Sequence, residues 1–371
     1  MALGEGDVAV APPLALLAEV THRCPLRCPY CSNPLALEGA SRELATAQWQ
    51  RILSEAAALG VLQVHFSGGE PLARRDIVEL VAHAAQASLY TNLITSGVLL
   101  DEAKMAALKG AGLDHVQLSV QDAEPANADR IAGLKDAHEK KLAAAALVRA
   151  AGLPLTLNAV MSRQNLDHLP QVIELALSLG AQRLEVAHVQ YYGWALANRG
   201  ALFPTYEALA QATGIVEAAR ERLKGVLAID YVVPDYYARR PKACMGGWAR
   251  QFINVSPAGT ALPCHAAETL PGFDWSSLVT TRLDDAWYRS EAFNRYRGTA
   301  WMPEPCRSCE RREIDWGGCR CQAFLFTGDA ARTDPACALA PDRPRLDAAR
   351  QDALGPETDF VYRQIGAAPA R

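Results

Sequence analysis

Residues 21–34 read THRCPLRCPYCSNP and carry Cys24, Cys28 and Cys31. The spacing Cx3Cx2C, directly after the apolar run at residues 14–20, sets three thiolates in one loop and stops one ligand short of a closed tetrahedral site. A structural zinc site takes four protein ligands, whereas a cluster iron without a protein ligand can bind and activate a small molecule. On these residues alone, a zinc site completed by His22 remains the plain alternative.

The loop opens a repeating pattern. Apolar runs at 14–20, 62–68, 88–95, 115–120, 154–161 and 183–190 alternate with Ala-rich, helix-periodic stretches as far as residue 224, the rhythm of successive βα units and a parallel sheet. Gly152 reads as a helix C-cap, and Pro170 sits where a first helical turn accepts it. Six such units are fewer than the eight of a closed barrel. The expected fold is therefore α/β, a partial (βα)6 TIM-like barrel with its site at the C-terminal ends of the strands.

Directly after the second run comes Ser67-Gly68-Gly69-Glu70-Pro71. Two glycines let a backbone pass close to a ligand and turn its N–H and C=O groups toward it; a simple Gly-Gly turn is the alternative. Thr91-Asn92, Ser119-Val120-Gln121-Asp122, Asn158 and Arg163 place polar groups at or near later strand ends. His65, His83 and His188 lie in apolar surroundings without a partner at metal spacing and read as packed, hydrogen-bonded histidines. The aromatic loop from Gln190 to Trp194 reads either as a stacking wall or as a buried cluster.

With 371 residues, 50% hydrophobic and 21% charged, the chain can bury a large core and carry a second domain. A net charge of -4 provides no broad attraction to nucleic acid or an anionic membrane. The N-terminus lacks the basic n-region of a signal peptide and no apolar run is long enough to span a bilayer, so a cytoplasmic location is expected. The ten cysteines then point to metal or redox chemistry rather than disulfides. Three lie in the first loop, none lies between Cys31 and Cys244, and the other seven run from Cys244 to Cys337. The organisation expected is a barrel domain at 1–224, a bridging segment at 225–243, a loop-rich metal-stapled domain at 244–340, and a tail with one short helix at 341–371.

The three-cysteine loop after the first strand, followed one βα unit later by GGEP, resembles the radical S-adenosylmethionine (SAM) enzymes. Cys244, Gly259-x4-Cys264, Cys306-x2-Cys309-x5-Asp315-x3-Cys319-x-Cys321 and Cys337 resemble the SPASM domain of peptide-modifying members. The pattern departs at Asp315, which stands where that family has a cysteine, and it adds Cys321. The resemblance implies a [4Fe-4S] cluster on Cys24, Cys28 and Cys31 with an open iron for SAM. It implies SAM or substrate contacts from Gly68, Gly69, Glu70, Ser119, Gln121, Asn158 and Arg163. It also implies two auxiliary iron-sulfur clusters, [4Fe-4S] and/or [2Fe-2S], one on Cys306, Cys309, Asp315 and Cys337 and one on Cys244, Cys264, Cys319 and Cys321. A carboxylate is a harder ligand than a thiolate, so the Asp315 cluster is expected to be more labile or differently poised. A zinc ribbon on the Cys306–Cys309 pair, and His265 as a competing ligand, stay open.

The wording of CPLRCPYCSNP, YTNLITSG, LSVQD, QYYGWA and CMGGWARQFINVSPAGTALPCHAAE is similar to the PqqA peptide cyclases of pyrroloquinoline quinone (PQQ) biosynthesis, over nearly the whole chain. That likeness implies a carbon-carbon cross-link between a Glu and a Tyr side chain of the peptide PqqA, begun by a 5′-deoxyadenosyl radical. It further implies a general base, for which Asp122 and Tyr191 are candidates, the peptide chaperone PqqD, and an electron donor such as flavodoxin. Another SPASM-type maturase that makes a thioether or oxidises a side chain, and a non-catalytic zinc or iron-sulfur scaffold, are the alternatives.

Overall fold

In the computed structural model, which describes residues 10–233, 235–355 and 358–363, the apolar runs become strands. They are β1 (Ala15–Thr21), β2 (Gln63–Gly68), β3 (Tyr90–Thr95), β4 (His115–Val120), β5 (Leu155–Met161) and β6 (Arg183–His188). Three more follow, β7 (Ala228–Val232), β8 (Phe252–Val255) and β9 (Ala261–Leu262). Among the described residues the sheet order is β7-β6-β5-β4-β3-β2-β1-β8-β9. Strands β1 to β8 pair in parallel, and β9 is antiparallel to β8. The core is thus an open α/β sheet with helices between its strands.

The sheet reaches beyond the six expected strands at both ends. β7 lies inside the stretch read as a bridge, and β8 and β9 come from the C-terminal region yet extend the same sheet beside β1. Their segments, AIDYV, FINV and AL, are too short or too polar to show a strand period. The bare edges of β1 and β6 nevertheless need hydrogen-bond partners, which these segments supply. The expected tail carries the helix Arg343–Ala353. Residues 1–9, where the absence of a signal sequence was read, and 364–371 lie outside the described residues.

β1 is buried almost throughout, as befits a strand covered on both faces. Leu16, Ala18 and Val20 belong to the main core with Trp49, Ile52, Leu53 and Ala56. The latter four recur at the spacing of one face of the helix Thr46–Leu59. Each fully buried Leu or Ile here contributes about 1.5–3 kcal/mol. The alternate residues Leu17 and Glu19 face a cavity instead. At the end of β1 the register to β2 slips, with Glu19 opposite Ser67 but Thr21 opposite Gly68. This bulge turns the chain out of the sheet and into the cysteine loop. Among the described residues no helix is long and apolar enough to cross a membrane.

Candidate active site

The strand ends surround a cavity of about 460 Å³, a size suited to a small-molecule cofactor and part of a substrate. Cys24, Cys28, Cys31, Gly68, Gly69, Ser119, Gln121 and Asn158 all line it. The two glycines have a steric reason. Gly68 sits at φ +114°, and a Cβ there would lie 2.3 Å from the Thr21 carbonyl oxygen. A Cβ on Gly69 would lie 2.5 Å from the Arg23 oxygen and 2.6 Å from that of His22. The absent side chains let the Gly69 N–H donate to the Thr21 carbonyl at 2.6 Å and the Glu70 N–H to that of Arg23 at 2.8 Å. GGEP therefore clasps the start of the cysteine loop.

Glu70 is fully buried and does not line the cavity. Its carboxylate accepts from Leu72 N at 3.1 Å, Thr95 Oγ1 at 2.6 Å and Ser96 N at 2.8 Å, and also from the Ser96 hydroxyl. It ties the ends of β2 and β3 together, a correction to its reading as a cofactor contact. Gln121 donates to Tyr30 Oη at 2.8 Å, which leaves its buried Oε1 without a partner among the described residues. Trp194 Nε1 and His188 Nδ1 are likewise buried and unpartnered there, and all three residues line the cavity.

Burial pushes the Cys24 thiol up to about 12 and the Cys28 thiol to about 11, and raises Cys31 as well. Bare, these thiols keep their protons at neutral pH. Iron ligation would displace those protons and supply the missing compensation for burial. Three convergent soft donors, close-set glycine backbone and unpaired polar atoms in one cavity fit a cluster with a bound small molecule. Lys141 is buried nearby, donating to the Ser119 carbonyl at 2.8 Å, and burial lowers it to about 8.

Three further sequence candidates turn away from the cavity. Asp122 is fully buried, with its carboxylate held by the Asn127 amide, by Glu124 N at 3.1 Å and by His168 Nδ1 at 2.8 Å. Side chains alternate along the strand and its exit, so Gln121 faces inward and Asp122 outward. Tyr191 packs in an aromatic cluster, its ring centroid 5.3 Å from Phe203 and 5.1 Å from Tyr236. Arg163 donates to the carbonyls of Phe203 at 2.8 Å and Gly200 at 3.3 Å. Neither carboxylate nor phenol is placed to serve as the general base, and Arg163 pins a loop.

Of the histidines, His65 meets Asn92 at 2.9 Å and His83 meets Ser54 at 2.8 Å, in keeping with packed roles. His188 instead lines the cavity, 3.3 Å from Tyr231 Oη, and burial lowers it to about 4. The sequence reading also passed over Glu19, Glu185 and Arg363, which line the cavity together with His265, read there only as a competing ligand beside Cys264. Glu19 accepts from Asn254 Nδ2 at 3.4 Å, and burial raises it to about 7. Its signal was available, since a carboxylate inside LALLAEV is costly to bury without purpose.

The structure gathers the C-terminal cysteines into two sets. Cys244 shares hydrogen bonds with Cys264 and Cys319, and Cys321 with the same two, so four thiols form a ring of contacts. Tyr192 Oη lies 3.3 Å from Cys319 Sγ, and the buried Asp334 accepts from Cys319 N at 2.7 Å. Cys306, Cys309, Asp315 and Cys337 line one small pocket beside Thr333. Among the described residues no three His, Cys, Asp or Glu side chains are set to clasp a single metal ion.

Residues 18–176 match the model of the radical SAM superfamily. A PqqA peptide cyclase of Granulibacter bethesdensis is 62% identical over 360 residues, 97% of this chain and 96% of that one. One of Bradyrhizobium diazoefficiens is 61% identical over 355 residues, 95% of this chain and 93% of that one. The chain belongs to the PqqA peptide cyclases of the radical SAM superfamily. Solved structures agree in fold. Streptococcus suis SuiB bound to SAM has a TM-score of 0.74 at 20% identity, over 89% of this chain and 78% of that one. The structure of anSMEcpe with bound SAM has a TM-score of 0.64 at 16% identity, over 92% of this chain and 100% of that one. Membership of this cyclase family makes the chain a radical SAM enzyme, with SAM and a [4Fe-4S] cluster as its cofactors.

Proposed function

We propose that this enzyme forms a carbon-carbon bond between a Glu and a Tyr side chain of PqqA, an early step in PQQ biosynthesis. The substrate comes from the near full-length likeness to PqqA peptide cyclases. The observation that carries the radical step is the shared cavity, in which three cysteines and the Gly68-Gly69 backbone face Glu19 and the inner ends of β4 and β5. When bound, SAM and the cluster at the first loop supply hydrogen-abstracting radical chemistry, and clusters on the two C-terminal sets supply one-electron transfer.

The chain's own residues do the rest. Cys24, Cys28 and Cys31 are the ligands at the first loop, and Ser119, Gln121 and Asn158 offer polar contacts to SAM or substrate along its wall. The cross-link removes one hydrogen from the Glu side chain and, from the Tyr ring, one proton and one electron. Glu19 takes the place of Asp122 and Tyr191 as the candidate proton acceptor, because it lines the cavity and its affinity for protons lies near neutrality. Cys244, Cys264, Cys319 and Cys321 are the candidate ligands of one auxiliary cluster; Cys306, Cys309, Asp315 and Cys337 are those of the other. PqqD as the carrier of PqqA, a flavodoxin-like donor and a cytoplasmic setting belong to the same proposal.

The test is anaerobic incubation of the iron-loaded enzyme with PqqA, SAM and reductant. The expected product is two hydrogens lighter than PqqA, linked between Glu and Tyr, and accompanied by 5′-deoxyadenosine. A thioether or an oxidised side chain would transfer the chain to another maturase class. Bound zinc with no SAM cleavage would overturn the radical reading.

A further inference from the structure

We propose that residues 358–363, at the far end of the chain from the cysteine motif, are a working part of the cluster site. Arg363 is the positioning residue: it holds the Cys24–Cys31 loop and sets a fixed positive charge beside it. The inference rests on the reading of those cysteines as cluster ligands.

Arg363 Nη2 donates to the Cys24 carbonyl at 3.0 Å and to the Leu26 carbonyl at 2.6 Å. The residue lines the same cavity as the three cysteines. One nitrogen, Nη2, therefore binds two carbonyls inside the ligand loop, at the end of a side chain one atom longer than that of lysine. The segment leading to it is anchored at Phe360, Val361 and Tyr362. Asn198 accepts from Val361 N at 2.7 Å and donates to the Val361 carbonyl at 3.0 Å, while its amide also donates to the Pro29 carbonyl at 3.2 Å. That one side chain links the terminal segment to the cysteine loop.

Tyr362 donates to the Arg130 carbonyl at 2.7 Å, and the Arg27 guanidinium stands 5.7 Å from its ring centroid. Arg27, from the middle of the loop, donates in turn to the Gly133 carbonyl at 2.9 Å. A Cβ on Gly133 would lie 3.2 Å from the Tyr362 ring, so this glycine makes room for the tyrosine. Arg130 covers the Phe360 ring at 4.7 Å. Ordering each residue of a segment costs about 1–2 kcal/mol. In residues 358–363 directed contacts to the cluster loop and its supports offset that cost and give the segment a use there.

The use follows from charge and reach. A guanidinium stays protonated, and in a partly buried site its field is weakly screened. It favours thiolate ligands and favours the addition of an electron to whatever they hold. By pinning Cys24 and Leu26 it also limits the loop motion that would release a ligand.

Full-length Arg363→Met, Arg363→Lys and Tyr362→Ala proteins test this. Backbone hydrogen exchange at residues 24–31 is followed in metal-free and reconstituted protein. The potential of the cluster whose electron-paramagnetic signal changes on adding SAM is titrated in parallel. Arg363→Met is expected to exchange at least tenfold faster in the loop and to titrate at a more negative potential. Arg363→Lys should restore the potential while the loop still exchanges faster, and Tyr362→Ala should loosen the loop with little change in potential. Wild-type exchange and potential in Arg363→Met would overturn the proposal. A wild-type protein with no iron on the first loop would sink the cluster reading instead, while exchange in the metal-free protein would still judge the loop contacts.

Discussion

Replacing Gly69 by Ala probes whether GGEP acts by clasping the cysteine loop. The added Cβ would stand 2.5 Å from the Arg23 oxygen, 2.6 Å from the His22 oxygen and 2.7 Å from the His22 carbonyl carbon. These are backbone atoms, so no side chain can swing aside. Forcing a methyl group into such a space costs about 1–3 kcal/mol. The chain escapes only by parting the two loops, which loses the hydrogen bonds from Gly69 N and Glu70 N, each worth about 0.5–1.5 kcal/mol net. By either route the cost is about 1–3 kcal/mol, a sizeable share of the roughly 5–15 kcal/mol that holds a domain folded. Gly110→Ala is the control. It ends a helix with nothing within 4 Å of its Cβ, and should be neutral or stabilising by about 0.4–1 kcal/mol. Urea unfolding of metal-free protein and iron retained by the first loop after anaerobic reconstitution are the two readouts. A Gly69→Ala protein that matches wild type in both would refute the steric argument.

Glu19 predicts a pH dependence. Burial raises it from 4.5 to about 7, so the folded chain binds its proton more tightly than the unfolded chain. Stability therefore falls as pH rises from about 4.5 through about 7, by about 3 kcal/mol in all. Metal-free Glu19→Gln should lose that decline and unfold at higher urea than wild type at pH 8; equal pH slopes in the two proteins would refute the assignment. Asp315→Ala should lower iron and sulfide content after reconstitution, with Asp315→Cys restoring it. Undiminished cross-linking by Asp315→Ala would remove that ligand set from any essential role.

Much of the fold was legible because parallel strands buried on both faces must be apolar, and β1 to β6 announce themselves that way. β7, β8 and β9 were not, since AIDYV, FINV and AL earn their strand state only from the unpaired edges they join. Within the site, spacing alone marked the loop of Cys24, Cys28 and Cys31 and the two glycines. It did not distinguish Gln121 from its neighbour Asp122, whose side chains leave the chain on opposite sides. Tyr191 read both as a candidate base and as part of a buried aromatic cluster, and its packing against Phe203 and Tyr236 is that of the cluster.

What the sequence by itself determined is which residue types can bind metal and in what local groupings, because ligand chemistry and short loop spacing are properties of neighbouring residues. Only the tertiary structure decided what stands around them. Glu19 opposite GGEP, His265 beside the cavity and Arg363 reaching back to Cys24 are separated from the motif by anything from a few residues to most of the chain. Their convergence depends on strand order, on the bulge that ends β1, and on the contacts that fasten residues 358–363. These are long-range packing outcomes that no local pattern encodes.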